Sequence, residues 1–190
     1  MSNSFDPKRS VRSDKSRADK SEVDEIQSIL KRLHRSIRMD DKVQQVTDDL
    51  RLFLQSDRVV LYYFYKQWEG RVTFESLSNR KYSILGSTGP DDCFNGEYAA
   101  MYLEGRVSAI TDIRTADIAS CHRDFLREIN VQANLVAPIL TGSNQQTLWG
   151  LLVAHHCQST KPWTTADIEQ ITRGATELAQ ASSIKKDWQV

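Results

Sequence analysis

From Ser21 onward the apolar positions fall into runs whose spacing switches between the helical and the extended period. Val23, Ile26, Leu30, Leu33 and Ile37 recur every three or four residues, which predicts an amphipathic helix, and Ser21 with Asp24 has the form of a capping box at its start. A second helix is expected after Asp40 or Asp41, with Val43, Val46, Leu50 and Phe53 on its apolar face, ending before Asp57. The period then changes. Residues 58–66, RVVLYYFYK, have the β-branched and aromatic composition of a central strand, and residues 72–77 alternate as a neighbouring strand would. Ser87 to Phe94 is rich in turn formers, and a short helix is expected over 95–104. A short strand at 107–111 and an irregular stretch to Ala119 lead to Ser120, expected to cap a helix carrying Cys121, Phe125 and Ile129. Strands at 133–140 and 148–155, joined by a turn at Thr141–Gln145, form a hairpin. Thr164 or Thr165 starts a last helix with Ile168, Ile171, Ala175, Leu178 and Ser182 on one face. The order predicts an α+β fold, an antiparallel sheet with helices segregated by face.

Residues 1–20 differ from the rest. Six Lys or Arg, three Asp and only four apolar side chains cannot offset the entropy of ordering, so this stretch is expected to be a disordered tail. The remainder, 21–187, is expected to form one domain with flanking helices. The 25 basic and 25 acidic side chains cancel, which disfavours nucleic acid or an anionic membrane as partner. No apolar run approaches the roughly 20 residues that span a bilayer, and the N-terminus lacks a signal-peptide core, which points to a cytoplasmic protein. The terminal-helix stripe at Val23, Ile26, Leu30, Leu33 and Ile37 exceeds what a small domain needs to cover, so a homodimer through the terminal helices is expected.

Three cysteines, Cys93, Cys121 and Cys157, argue against a disulfide scaffold in a reducing compartment. Adjacent residues on a helix diverge by about 100°, so Cys121 and His122 cannot face each other as nucleophile and base. Cys93, Cys121, His122, His155 and Cys157 lack the paired short clamps of structural zinc, and no phosphate-binding loop, dinucleotide fingerprint or H-E-x-x-H is present. Enzyme activity is therefore not expected. Cys157, at a strand end, reads as a small buried hydrophobe. Cys121 opens a helix, where the partial positive charge favours thiolate, and Cys93 lies in a Gly-Pro-Asp-Asp turn able to reach over a pocket; both remain candidate reactive thiols. Of Tyr62 to Tyr65 only one alternate half can face a pocket. His155, on an apolar strand, reads locally as a satisfied core histidine.

Four ordered motifs carry a resemblance. Ser120-Cys-His-Arg-Asp-Phe-Leu126, residues 132–140 (QANLVAPIL), residues 148–156 (LWGLLVAHH) and Asp91-Asp-Cys-Phe94 together resemble a cyanobacteriochrome GAF domain, a relative of phytochrome, over about Ile26 to Ala181. The Asp-x-Cys-Phe motif, with Cys93 placed 28 positions before Cys121, resembles the subgroup that has a second chromophore-linking cysteine. The stretch Leu77–Ser83 lacks a tryptophan that the family often carries, a departure that bears on the packing around ring D.

The resemblance implies a GAF fold and a photoreceptor binding a linear tetrapyrrole, phycocyanobilin or its isomer phycoviolobilin. It implies a thioether from Cys121 to ring A, His122 against the inner pyrroles, and Asp91 accepting from pyrrole N–H groups. It places His155 and Tyr62 near ring D, and Phe94 and Asn134 among the chromophore-binding residues. Cys93 would add reversibly at the central methine bridge, giving a blue-absorbing state that exchanges with a longer-wavelength state as the pigment isomerises between 15Z and 15E. No kinase, cyclase or methyl-accepting segment follows the last helix, so a separate output protein is expected. The alternatives are a GAF domain binding a cyclic nucleotide or other small effector, and a dimerisation adaptor.

Overall fold

The computed structural model describes residues 7–89, 96–142 and 146–186, with side chains described from residue 20 and, beyond the first gap, from residue 99. Five strands form one antiparallel sheet: β1 (Arg58–Lys66), β2 (Glu69–Leu77), β3 (Ser108–Ile110), β4 (Ala133–Thr141) and β5 (Thr147–His156), in the order β2-β1-β5-β4-β3. The helices are α1 (Pro7–Arg38), α2 (Asp41–Phe53), α3 (Gly96–Leu103), α4 (Ser120–Glu128), α5 (Thr165–Leu178) and the short α6 (Ser182–Lys185). The element order follows the expected one, and the α+β architecture holds.

The pleat divides the strands between two cores. Val59, Leu61, Leu135, Ala137, Leu152 and Ala154 pack with Leu33 and Ile37 of α1, Leu50 of α2 and Ile171 and Leu178 of α5. Each Val, Leu or Ile side chain so removed from water contributes about 1.5–3 kcal/mol, which is what holds these helices on the sheet. The alternate residues Val60, Val72, Val136, Leu151 and Val153 form a second cluster on the opposite face, with Tyr62 and Phe64 packed against it. A smaller cluster of Ile110, Ile113, Leu126 and Val131 seats α4 at that face's edge.

Several expectations change. The first helix begins at Pro7, inside the stretch expected to be disordered. Proline suits a first helical turn, and no further proline or glycine precedes Ser21 to break the helix. Ser21 and Asp24 therefore lie inside α1 and do not cap it. The apolar stripe is used within the chain: Leu30, Leu33 and Ile37 are buried, Ile26 packs partly against the core, and Val23 is exposed. That removes most of the surface on which the homodimer expectation rested.

Asp40 caps α2, its carboxylate accepting from Lys42 N at 3.2 Å and from Ser183 N at 3.0 Å, which ties α6 to the start of α2. Thr164 caps α5 in a reciprocal box with Asp167. Ser182 does not lie on the α5 face, because that helix ends at Leu178 and Ser182 opens α6. Ser120 is not the cap of α4; Ala119 occupies that position, with no side-chain hydrogen bond, and Ser120 is the first helical residue.

Candidate functional site

Among the described residues, the helices do not close the second face of the sheet over its whole area. Between β1, β4, β5, α3 and α4 lies a mainly apolar cleft with a cavity volume of about 210 Å³. Its floor is Val60, Tyr62, Val136, Leu151, Val153 and His155, all of one pleat parity on their strands. Phe64, Ile118 and Phe125 add aromatic and aliphatic walls, and Arg106 and Asp117 bring charge to its margin.

The aromatic run of β1 splits as the pleat requires. Tyr62 and Phe64 line the cleft and meet edge to face at 5.4 Å, whereas Tyr63 is buried on the helix side with its ring 5.0 Å from that of Trp149. The Tyr62 hydroxyl accepts from Gly89 N at 2.9 Å. Glycine is required around this ring: a Cβ on Gly70 would stand 2.2 Å from Tyr62 Cε1, and one on Gly89 2.8 Å from the hydroxyl oxygen.

A polar row crosses the sheet at one end of the floor. Arg58 of β1 pairs in register with His155 of β5, which pairs with Asn134 of β4. All three are buried, at 1%, 4% and 3% exposure. Arg58 Nε donates to His155 Nδ1 at 2.8 Å, and its terminal nitrogens donate to Tyr82 O and Ile129 O, each at 2.8 Å. Burial first, then the Arg58 charge and His122, hold His155 well below the usual imidazole value, so its ring is neutral. Asn134 Oδ1 is buried without a hydrogen-bond partner, a cost of about 1–3 kcal/mol for the protein alone.

His122 lies in the first turn of α4 and lines the cleft, where burial lowers its pKa. Cys121 precedes it, on the exposed side of that turn. Asp117, Ile118 and Ala119 line the cleft before Cys121, and His122 lines it after, so Cys121, whose sulfur is engaged in a disulfide, belongs to the segment beside the cleft. Cys157 stands apart at the end of β5: it is half-buried, burial pushes its thiol up to about 11 against the lowering effect of Arg58, and its backbone N–H donates to Asp57 Oδ2 at 2.7 Å. Among the described residues, no three His, Cys, Asp or Glu side chains are placed to hold a metal ion, and no helix is long and apolar enough to cross a membrane.

The structure thus gathers Tyr62, His122, Asn134 and His155 around one cleft, and Cys121 adjoins the lining residue His122 in sequence without itself lining the cleft. Asp91, Cys93 and Phe94 lie outside the described residues. Sequence reasoning missed Arg58, although an arginine opening an otherwise apolar strand was a usable signal. It also missed Ile118, Phe125 and Arg106, which reach the cleft from a loop, a helix and a strand approach without a shared period.

An uncharacterized protein of Picosynechococcus sp. is 51% identical over 148 residues, covering 78% of this chain and 89% of its own length. The circadian input-output histidine kinase CikA of Synechocystis sp. is 29% identical over 203 residues, covering 95% of this chain, but this chain spans only 26% of the kinase. Among solved structures, the blue-light absorbing form of the Thermosynechococcus elongatus PixJ GAF domain matches with a TM-score of 0.62 and 32% identity, over 74% of this chain and 86% of that one. The phycocyanobilin-bound GAF domain of a cyanobacterial phytochrome matches with a TM-score of 0.62 and 30% identity, over 82% and 94%. Residues 38–181, which hold all five strands and the whole wall of the cleft, match the GAF domain model, and the chain therefore belongs to the GAF domain family.

Proposed function

We propose that this domain is a photoreceptor that holds a linear tetrapyrrole in the cleft, tethered through Cys121. The observation that supports the reading is the placement of Cys121 between Asp117, Ile118 and Ala119 on one side and His122 on the other, all of which line a mainly apolar cleft, at the start of a helix with no side-chain cap. The residues present fit such a group. A long conjugated plate needs apolar walls, a few aimed polar groups and a tether, and the cleft offers Val60, Val136, Leu151 and Val153 as walls, with His155 and the unpartnered Asn134 Oδ1 as polar points. Solved relatives bind bilins: the phytochrome domain named above is phycocyanobilin-bound.

A bound bilin would supply visible absorption and a double bond, between its 15Z and 15E forms, that light isomerises. The chain's part is to hold and respond. Cys121 would carry the permanent thioether, and His122 would lie against the inner pyrroles. Tyr62, fixed by Gly70 and Gly89, limits where the terminal ring can turn. Asp91 would accept from the inner N–H groups, Phe94 would be a further chromophore-binding residue, and Cys93 would make and release the second link that separates a blue-absorbing from a longer-wavelength state. Phycocyanobilin, or phycoviolobilin formed from it in place, suits this arrangement, and an output protein reads the result.

The test is co-expression with enzymes of bilin synthesis, followed by acid denaturation and a gel. Pigment should migrate with the wild-type band and be lost from Cys121→Ala. Covalent colour on Cys121→Ala refutes the tether, and a colourless wild-type protein favours a cleft for a cyclic nucleotide or similar effector.

A further inference from the structure

The chain from β3 into α4 has no regular secondary structure between Thr111 and Ala119, yet Asp117, Ile118 and Ala119 line the cleft and Cys121 follows two residues on. Short turns give this stretch some bonds of its own: Thr115 N and Ala116 N donate to Asp112 O, and Ile118 N donates to Ala116 O. A side chain of α4 reaches back to hold the rest. Arg123 Nε donates to Ile113 O at 3.0 Å, and one terminal nitrogen donates to Ala116 O at 2.7 Å and to Ile118 O at 3.4 Å. The planar fork thus spans three carbonyls, which the single ammonium of a lysine cannot match. Ile113 anchors the near end of the stretch, buried in a cluster with Leu126 of α4. The helix dipole makes the choice of residue informative. A helix N-terminus carries partial positive charge, and α4 has neither a side-chain cap nor an acidic residue in its first turn, so a cation at the fourth helical position is unfavourable unless its charge is used elsewhere. The three carbonyls use it.

We propose that Arg123 is a positioning residue for pigment attachment: by fixing the backbone of 113–118 against α4 it holds the cleft wall and the helix start as one piece, so that Cys121 approaches a ligand seated in the cleft along a set direction. The hold on the wall stands on the polypeptide alone, and its use in attachment rests on the bilin reading. Attachment is an addition in which the Cys121 sulfur bonds one carbon of a pigment double bond, the thiol proton ends on the neighbouring carbon, and nothing leaves. A misplacement of about 1 Å between reacting atoms costs such a step up to about a hundredfold in rate.

The experiment mixes the full pigment-free chain, reduced with dithiothreitol, with excess phycocyanobilin in the dark and follows covalent pigment on acid gels. Hydrogen–deuterium exchange on the pigment-free chain reads the amides of 112–119 in parallel. Arg123→Met should lower the maximum attachment rate roughly ten- to hundredfold with little change in the half-saturating pigment concentration, and should speed exchange at Ala116 and Ile118. Arg123→Lys, which keeps the charge and loses the fork, should fall between. Arg127→Met, one turn further along the exposed side of α4, should match the wild type. A role in stability alone would lower the melting temperature and leave both readouts of the folded chain unchanged, which overturns the proposal. A wild-type attachment rate in Arg123→Lys overturns it even if Arg123→Met does not fold. A wild-type chain that takes up no pigment overturns the bilin reading instead, and unchanged exchange in Arg123→Met separately overturns the hold on the wall.

Discussion

Gly70→Ala probes the cleft wall through a single methyl group. Gly70 lies in β2 opposite Phe64, and the added Cβ would stand 2.2 Å from Tyr62 Cε1 and 2.7 Å from Tyr63 O. Neither contact is tolerable, so something must shift. The Tyr63 carbonyl belongs to the paired strand, and the Tyr62 ring is held by Phe64 at its edge and by Gly89 N at its hydroxyl, which leaves the cleft as its way out. Overpacking of this kind costs about 1–3 kcal/mol. At about 2–4 °C per kcal/mol for a chain of this size, the melting temperature should fall by roughly 2–12 °C. The pigment spectrum should change with it, because the ring displaced is the one lining the pocket. A cycle with Tyr62→Ala isolates the clash: removing the ring should relieve part of the Gly70→Ala cost, with a coupling of about 0.5–3 kcal/mol. Gly86→Ala is the control, since its φ of +85° is strained for alanine but nothing lies within 4 Å; it should lower the melting temperature and leave the spectrum alone. Thermal melts followed by circular dichroism, with absorption spectra on the same samples, decide it. Additive costs in the cycle, or Gly70→Ala with an unchanged spectrum, would refute the reasoning.

Two further outcomes follow from the charge states. Burial holds His122 and His155 neutral, so as pH falls through the ordinary imidazole value of 6.5 the unfolded chain takes up protons that the folded chain refuses; the stability present above that pH is lost below it. The urea midpoint should therefore be lower at pH 5.5 than at pH 7.5, and an equal midpoint contradicts the assignment. Cys157, pushed up to about 11 from 9.0, should have about a hundredfold less thiolate at pH 8 than an unburied thiol, so iodoacetamide should label it far more slowly in the folded than in the urea-unfolded chain; mass spectrometry giving similar rates would count against its burial.

The order of helices and strands was legible because each element carries its own apolar period, and the sheet's two cores follow from strands apolar on both faces. Which half of Tyr62–Tyr65 faces the cleft was not legible from the local pattern, since it is set by how β1 packs in the sheet beside β5; only the resemblance named Tyr62, and Tyr62 lines the cleft. His155 read as a core histidine and is one by burial, yet it also lines the cleft; local pattern cannot express that double role. Ser21 was expected to start the first helix, whereas α1 runs from Pro7, because the capping-box pattern at Ser21 and Asp24 also fits the interior of a helix already packed from Ile29 to Ile37. Ser120 was expected to cap α4 from its residue type, but Ala119 takes the cap position.

The most direct test of the account is the absorption spectrum of pigment-loaded protein before and after illumination, for the wild type and for Cys93→Ser with Cys121 intact. The account predicts that the wild type switches reversibly between a blue-absorbing and a longer-wavelength state. The variant should keep its covalent pigment and lose the blue state alone, because without a second link the conjugation is never cut. A pigment-loaded wild-type protein whose spectrum light does not change, or a Cys93→Ser variant that retains the blue state, would contradict it.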